Sequence, residues 1–478
     1  MNKDNTLKHP PGSYAEILDI AIPLVVSTGS WTIMHFTDRL FLSRYSQDAF
    51  ASALPAGVLS FTFACFFIGT AGYTGTFVAQ YYGAKQFSNI GKIVWQGVFF
   101  AMFSGLILLS LIPLADDIFS FIGHPEPLPA LETTYFRILC YGMTFAILTA
   151  VFSGFFSGMG KTKIVMIVNV ACSGFNIILD YAWIFGKFGL PRWGLRGAAW
   201  ATVFATILGS LVFFVLFMLP GNRKKFNTLG GFRIDLHLIK RLMKYGMPNG
   251  VNFFLDISAF SLFVIMVGRL GKAELTATNI SFNINVLAFM PMIGFAIATN
   301  ILVGQYIGRN LPETAEKCVR RVFLLTVGYM GVVALSYVLV PSLYVNLYGT
   351  QGGTEITPEI RNLARTLLIF VAIYSFFDAV NLVFSSAIRG AGDTPFVMRV
   401  VVVCSLSIVL IPTYVCCVVL KGSIFIAWTF FSLYIVVMAI IFYLRYRGGK
   451  WKSMKVIETT PPEIAPAPGA LGESEVMR

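Results

Sequence analysis

The heptapeptide AQYYGAK at 79–85 returns as GQYIGRN at 304–310. Gln80, Tyr81 and Gly83 match Gln305, Tyr306 and Gly308 at a shift of 225 residues, and Pro23 matches Pro248 at the same shift. A second pair lies further along each half. VFSGFFSGMGKTKIVM at 151–166 returns as VFSSAIRGAGDTPFVM at 383–398, where Gly158, Gly160 and Thr162 match Gly390, Gly392 and Thr394 at a shift of 232. Two matches so far apart and so nearly in step mark an internal duplication.

Hydropathy says what is duplicated. Of 478 residues, 56% are hydrophobic and 12% charged, and mean hydropathy is +0.74. A soluble chain carries roughly 25% charged residues, so this one has too few to cover a soluble surface. That excludes a cytosolic enzyme, a nucleic-acid-binding module and a disordered protein. The net charge of +13 reads instead as Lys and Arg gathered in cytoplasmic loops of a membrane protein.

A helix needs roughly 20 apolar residues to cross a bilayer. The sequence offers twelve such stretches, near 15–43, 50–81, 94–115, 135–158, 164–187, 195–219, 246–270, 275–306, 322–346, 363–387, 396–419 and 424–444. Each half of the duplication then holds six spans in the same orientation. The expected fold is an all-α membrane protein of twelve transmembrane helices. They form two six-helix bundles around a pseudo-twofold axis along the membrane normal, with a cavity between them. The expected segments are a cytoplasmic N-terminus (1–14), an N-lobe (15–220), a basic cytoplasmic linker (221–245), a C-lobe (246–444) and a disordered tail (445–478). Pro23 is expected to bend the first span.

Arg223, Lys224, Lys225, Arg233, Lys240, Arg241 and Lys244 in the linker, with Arg445, Arg447, Lys450, Lys452 and Lys455 after the last span, put both termini in the cytoplasm. Lys187, Arg192 and Arg196 run against that trend. Lys3 and Lys8 precede the first span without a cleavage site, so that span is expected to be retained. Outer-membrane proteins are barrels; the expected address is a plasma membrane, the inner one in a Gram-negative host.

The seven cysteines (Cys65, Cys140, Cys172, Cys318, Cys404, Cys416 and Cys417) lie in apolar stretches without ligand spacing and read as packing residues. GMGKT at 158–162 lacks the upstream glycine of a phosphate-binding loop, since Phe155 stands there. ATP is therefore not the expected energy source, and no His, Ser or Cys cluster suggests an intramembrane enzyme. No cofactor is expected beyond a coupling ion.

Four carboxylates fall deep in apolar spans: Asp38, Asp180, Asp256 and Asp378. Each costs about 2.5–3.5 kcal/mol at a lipid-embedded helix centre, so each should face protein or water and exchange a cation or proton. By helical rise, Asp38 and Asp180 share a depth near the outer side. Asn176 is one turn from Asp180, and Thr202 is at similar depth. This oxygen-rich set suits Na⁺ or a shared proton. Asp256 and Asp378 come out near mid-membrane, with Asn252 and Asn381 on their faces and Asn279 and Asn283 as further polar lining. His35, one turn before Asp38, is a possible proton relay. The aromatics (45 Phe, 19 Tyr, 7 Trp) offer stacking for flat organic cations.

The sequence resembles the multidrug and toxic compound extrusion (MATE) family, in its NorM-type branch. The resemblance runs from about residue 15 to 445. It is carried by FTDRLFLSR at 36–44, GTAGYTGTFVAQYYGAK at 69–85, NIILDYAWIFGKFGLPRWGLRGAAWAT at 176–202, GMPNGVNFFLDISAF at 246–260 and FFDAVNLVFSSAIRGAG at 376–392. It implies export of drugs in exchange for Na⁺ or H⁺. It implies a cation site at Asp38, Asn176, Asp180 and Thr202, and a C-lobe acidic pair at Asp256 and Asp378, where Asp256 replaces a common glutamate. Na⁺ is expected at Asp38, Asp180 or Asp378. The expected protein is a monomeric antiporter of small organic, cationic compounds. The readings weighed against it are a lipid-linked oligosaccharide flippase, which would need basic cavity residues, and an ion channel.

Overall fold

The structure is a computed structural model, and it describes residues 9–347 and 357–458. Lys3, Lys8 and the tail from Thr459 lie outside the described residues. The protein is a multi-pass membrane protein. Among the described residues it has twelve long apolar helices: α1 (Tyr14–Tyr45), α2 (Gln47–Gly83), α3 (Phe87–Leu109), α4 (Leu128–Gly158), α5 (Thr162–Phe185) and α6 (Leu195–Phe217) in the first half. The second half holds α7 (Leu236–Gly268), α8 (Lys272–Gly308), α9 (Pro312–Leu339), α10 (Pro358–Ala391), α11 (Thr394–Val419) and α12 (Ile424–Arg447).

Local chemistry sets the helix ends. Ser13 Oγ accepts from Glu16 N–H (3.2 Å) to start α1, and Asp235 Oδ1 accepts from His237 and Leu238 N–H (3.0 and 3.1 Å) to start α7. Gly186 closes α5 with a left-handed φ of 68°. α2 is interrupted at Tyr73. α11 contains two π-helical stretches, Ser405–Leu410 and Val415–Val419, on either side of Pro412, which lacks the N–H a regular turn needs.

Two large apolar clusters form the two lobes, and they exchange their leading elements. Ile17, Ile20, Ala21 and Leu24 of α1 are buried in the second-half cluster. Leu238 and Leu242 of α7 are buried in the first-half cluster. α7 starts ten residues before the expected span, because residues 236–245 pack there instead of joining a loose linker. The rest of the linker is also tied down: Trp95 Nε1 donates to Thr228 O (2.6 Å), and Gln96 Nε2 donates to Arg233 O (2.9 Å).

The tail departs from expectation too. After α12, Lys450–Ser453 forms a short 3-10 turn that stacks Trp451 on Tyr446 (5.0 Å, 11°). Val456 and Ile457 are buried in the first-half cluster. The Val456 N–H donates to Gln80 Oε1 (2.8 Å), its carbonyl accepts from Arg241, and Arg241 pairs with Glu458 (2.8 Å). Disorder is therefore not what residues 450–458 show; their apolar side chains have a core to enter.

The duplicated residues meet across the lobes, at the face that carries both ends of the described chain, His9 and Glu458 (the terminal face). Gln80 Nε2 donates to Gly390 O (3.0 Å), and Gln305 Nε2 donates to Gly158 O (2.8 Å). These are the four positions matched by the two sequence repeats, so the bonds are pseudo-twofold mates. Gly83 and Gly308 allow the approach: a Cβ on Gly83 would run into the Gln305 carbonyl oxygen, and one on Gly308 into that of Gln80. Small residues let membrane helices close to backbone contact in this way.

Candidate functional site

In the first lobe, α1, α5 and α6 bring four expected residues together. Asp38, Asn176 and Asp180 are all buried. The Asn176 amide bridges them when its nitrogen faces the carboxylates, the orientation that satisfies both of its ends. It then donates to Asp38 Oδ1 and Asp180 Oδ2 (3.1 Å each), and its oxygen accepts from Thr202 N–H (3.3 Å). The Thr202 hydroxyl donates to Ala198 O (3.1 Å), which leaves its lone pairs free. Asp180 Oδ1 is buried with no hydrogen-bond partner among the described residues. A buried carboxylate oxygen without a donor is electrostatically unsatisfied and favours a proton or cation beside it. His35 reaches Asp38 only at 3.8 Å and is itself well exposed. Sequence reasoning missed Tyr135 of α4, a buried side chain within electrostatic range of both acids. One tyrosine among 19 carries no local signal of that role.

In the second lobe the two acids stay apart, each with its own amide. Asn252 Nδ2 donates to Asp256 Oδ2 (3.1 Å), and Asn381 Nδ2 to Asp378 Oδ1 (3.4 Å). Asp256 is accessible, yet it interacts electrostatically with Cys65 of α2, Arg389 and Asp378 of α10, and Tyr434 of α12. Groups from three other helices, one in the opposite lobe, lie within its electrostatic reach. The access is therefore from the space between the lobes, not from lipid.

Two expectations for this lobe change. Asn283 is exposed and donates to its own helix at Asn279 O (2.8 Å), with no hydrogen bond to the acids among the described residues. Asn285, two residues on, is buried, donates to the Tyr374 hydroxyl (3.2 Å) and accepts from Ser375 Oγ (3.4 Å), one turn before Asp378. The second change is Arg389, which places a basic group inside the lobe near Asp256. No Lys or Arg stands beside Asp256 or Asp378 in sequence, and the proximity of Arg389 comes only from packing.

A six-plus-six helical membrane protein with interior carboxylates belongs to the class of secondary transporters. The sequence profile of the MatE family matches residues 23–182 and 248–415, two segments that begin at the repeat-matched Pro23 and Pro248. The chain belongs to this family of transporters. Among its relatives, the probable multidrug resistance protein NorM of Thermotoga maritima is 27% identical over 383 residues, 79% of this chain and 80% of that one. The multidrug resistance protein PmpM of Pseudomonas aeruginosa is 25% identical over 391 residues, 80% of both chains. The solved outward-facing conformation of a multidrug resistance MATE family transporter has the same fold, with a TM-score of 0.84 at 18% identity, covering 95% of this chain and 100% of that one.

Proposed function

We propose that this protein is a multidrug efflux transporter, an antiporter that expels small organic cations in exchange for Na⁺ or H⁺. The observation that carries this reading is the Asp38–Asn176–Asp180 cluster. Two buried carboxylates share one amide, one carboxylate oxygen has no partner, and no Lys or Arg pairs with them among the described residues. Such charge in the membrane must be met by something that comes and goes. Na⁺ fits the donor set, because Asp38, Asp180 and the Thr202 hydroxyl offer oxygen alone, as hard cations require. A proton fits it equally. The relatives named for multidrug resistance support organic compounds as cargo.

In this reading the terminal face is cytoplasmic and the membrane is the plasma membrane. A coupling cation entering from the opposite face neutralises Asp38 and Asp180 and removes the desolvation cost of closing over them. The C-lobe acids, open to the inter-lobe space, hold the cationic cargo. The lobes then rock about the cavity, and the bonds of Gln80 and Gln305 make and break with each cycle. One Na⁺ moving down a tenfold gradient and about 100 mV supplies roughly 1.4 + 2.3 kcal/mol. Expelling a monovalent cargo against the same potential returns about 2.3 kcal/mol. One-for-one exchange thus concentrates cargo about tenfold, and larger accumulation needs a second ion. The test is efflux of a fluorescent cation from proteoliposomes under an imposed Na⁺ or H⁺ gradient. Parent-like transport by both Asp38→Asn and Asp378→Asn would refute the reading.

A further inference from the structure

Arg389 stands two residues before the end of α10, and the exchange described so far does not use it. Its Nη2 donates to Ser386 Oγ (3.1 Å) and Ser385 Oγ (3.4 Å). Two neutral hydroxyls are thin solvation for a guanidinium with five donors. Its charge is therefore felt by whatever anion stands nearby.

The anions are the C-lobe acids. Eleven residues separate Asp378 from Arg389, close to three full turns, so both project from the same face of α10, about 16 Å apart along its axis. Thr394 Oγ1, at the start of α11 and three residues past the end of α10, donates to Tyr245 O of α7 (2.7 Å), which puts Tyr245 at about the depth of this end of α10. Asp256 lies eleven residues further along α7, about 16 Å deeper by helical rise, a depth between those of Arg389 and Asp378. Asp256 is an electrostatic neighbour of both. The interior of this lobe thus carries a line of charge that runs acid, acid, base toward the terminal face.

The base sits where the two lobes are joined. The Tyr73 hydroxyl donates to Arg389 O (2.7 Å), and Gln80 Nε2 donates to Gly390 O (3.0 Å). Both donors come from α2 in the other lobe. One short stretch of α10 therefore offers its side chain to the acids and its carbonyls to the closure.

We propose that Arg389 is a resident counter-cation of the Asp256–Asp378 pair, and that cargo competing with it is sensed at the terminal-face closure. A cargo cation that reaches the acids must work against the field of the guanidinium. Once bound, it weakens the attraction holding Arg389 toward them. The end of α10 then shifts, and with it the carbonyls that accept from Tyr73 and Gln80. Arg389 acts here as a positioning residue, and this role rests on the antiport reading above. A purely structural role, such as a basic side chain favouring a helix C-terminus, would change stability without changing cargo affinity.

The experiment uses the full-length protein in nanodiscs, with ethidium as the cationic probe. Its readouts are dye affinity by fluorescence and hydrogen exchange in peptides covering 76–85 and 300–310. In the parent, dye binding should change exchange in both peptides. Arg389→Gln should bind dye about tenfold more tightly and lose that dye-dependent change, while Arg389→Lys should behave as the parent in both. Arg389→Met, of similar length and no charge, should repeat the Gln result and serves if that variant does not fold. Parent-like affinity in the uncharged variants, or a dye-dependent exchange change that survives in them, overturns the proposal. Asp378→Asn separates the two claims, because loss of dye binding there upholds the cargo site of the antiport reading whatever Arg389 does. A parent that binds no dye sinks both.

Discussion

The two lobes share a scaffold and place their acids in opposite circumstances. In the first lobe, Asp38 and Asp180 are drawn together by one amide and sealed among α1, α5 and α6. In the second, Asp256 and Asp378 each keep a separate amide, and Asp256 opens to the inter-lobe space. In the proposed antiport, the difference separates two tasks. A buried, carboxylate-rich cluster suits a small cation in that scheme, because desolvation penalises anything that does not fill it. The more open C-lobe acids suit larger cations of varied shape in that scheme, because water completes whatever the protein leaves unmet.

That division can be broken most directly at Asp38. Asp38→Asn is expected to lower ion-driven dye efflux at least a hundredfold while leaving equilibrium dye binding within about twofold; equal loss of both would merge the two sites into one. The next effect tests where the lobes are alike. Gly83→Ala and Gly308→Ala each put a methyl against a backbone carbonyl of the other lobe, so both should hinder closure of the terminal face and slow transport by a similar factor, about tenfold or more. A large effect at one and none at the other would show that the closure is not symmetric.

Smaller changes sharpen the comparison. Asn176→Leu removes hydrogen bonds to two carboxylates, each about 1.5–3 kcal/mol when a charged group is involved. Na⁺ or H⁺ dependence should shift by tenfold or more while dye affinity stays near the parent's, as read from efflux against ion concentration. The smallest effects belong to the second lobe. Asn285→Ala should weaken dye binding several-fold by loosening Tyr374 and Ser375 beside Asp378. Asn283→Ala, whose amide bonds only to its own helix, should stay within about twofold.

Much of this architecture is written in the chain. The spans follow from runs of apolar residues, and twelve helices stand where twelve stretches lie. The cluster of Asp38, Asn176, Asp180 and Thr202 was also legible, because helical rise fixes depth and charges in apolar spans are few. Less legible were Asn285 against Asn283, the burial of Trp451 and Val456, and the approach of Arg389 to Asp256. Neighbouring asparagines on one helix differ only in the direction they face, which depends on how α8 is rotated against α10. The tail looks polar and proline-rich from Thr459 onward, and that composition hid the few apolar residues just before it.

The sequence by itself determined the membrane class, the number of spans, the duplication and the identity of the buried acids. Each rests on hydropathy or on identity at a fixed offset, and both are properties of the chain read along its length. Tertiary structure alone decided that the lobes trade their leading helix ends, that the repeated glutamines lock onto the repeated glycines of the other half, and that one arginine stands near the C-lobe acids. Those are distances between residues far apart in the chain, and a one-dimensional pattern holds depth along a helix but not the angle at which helices meet.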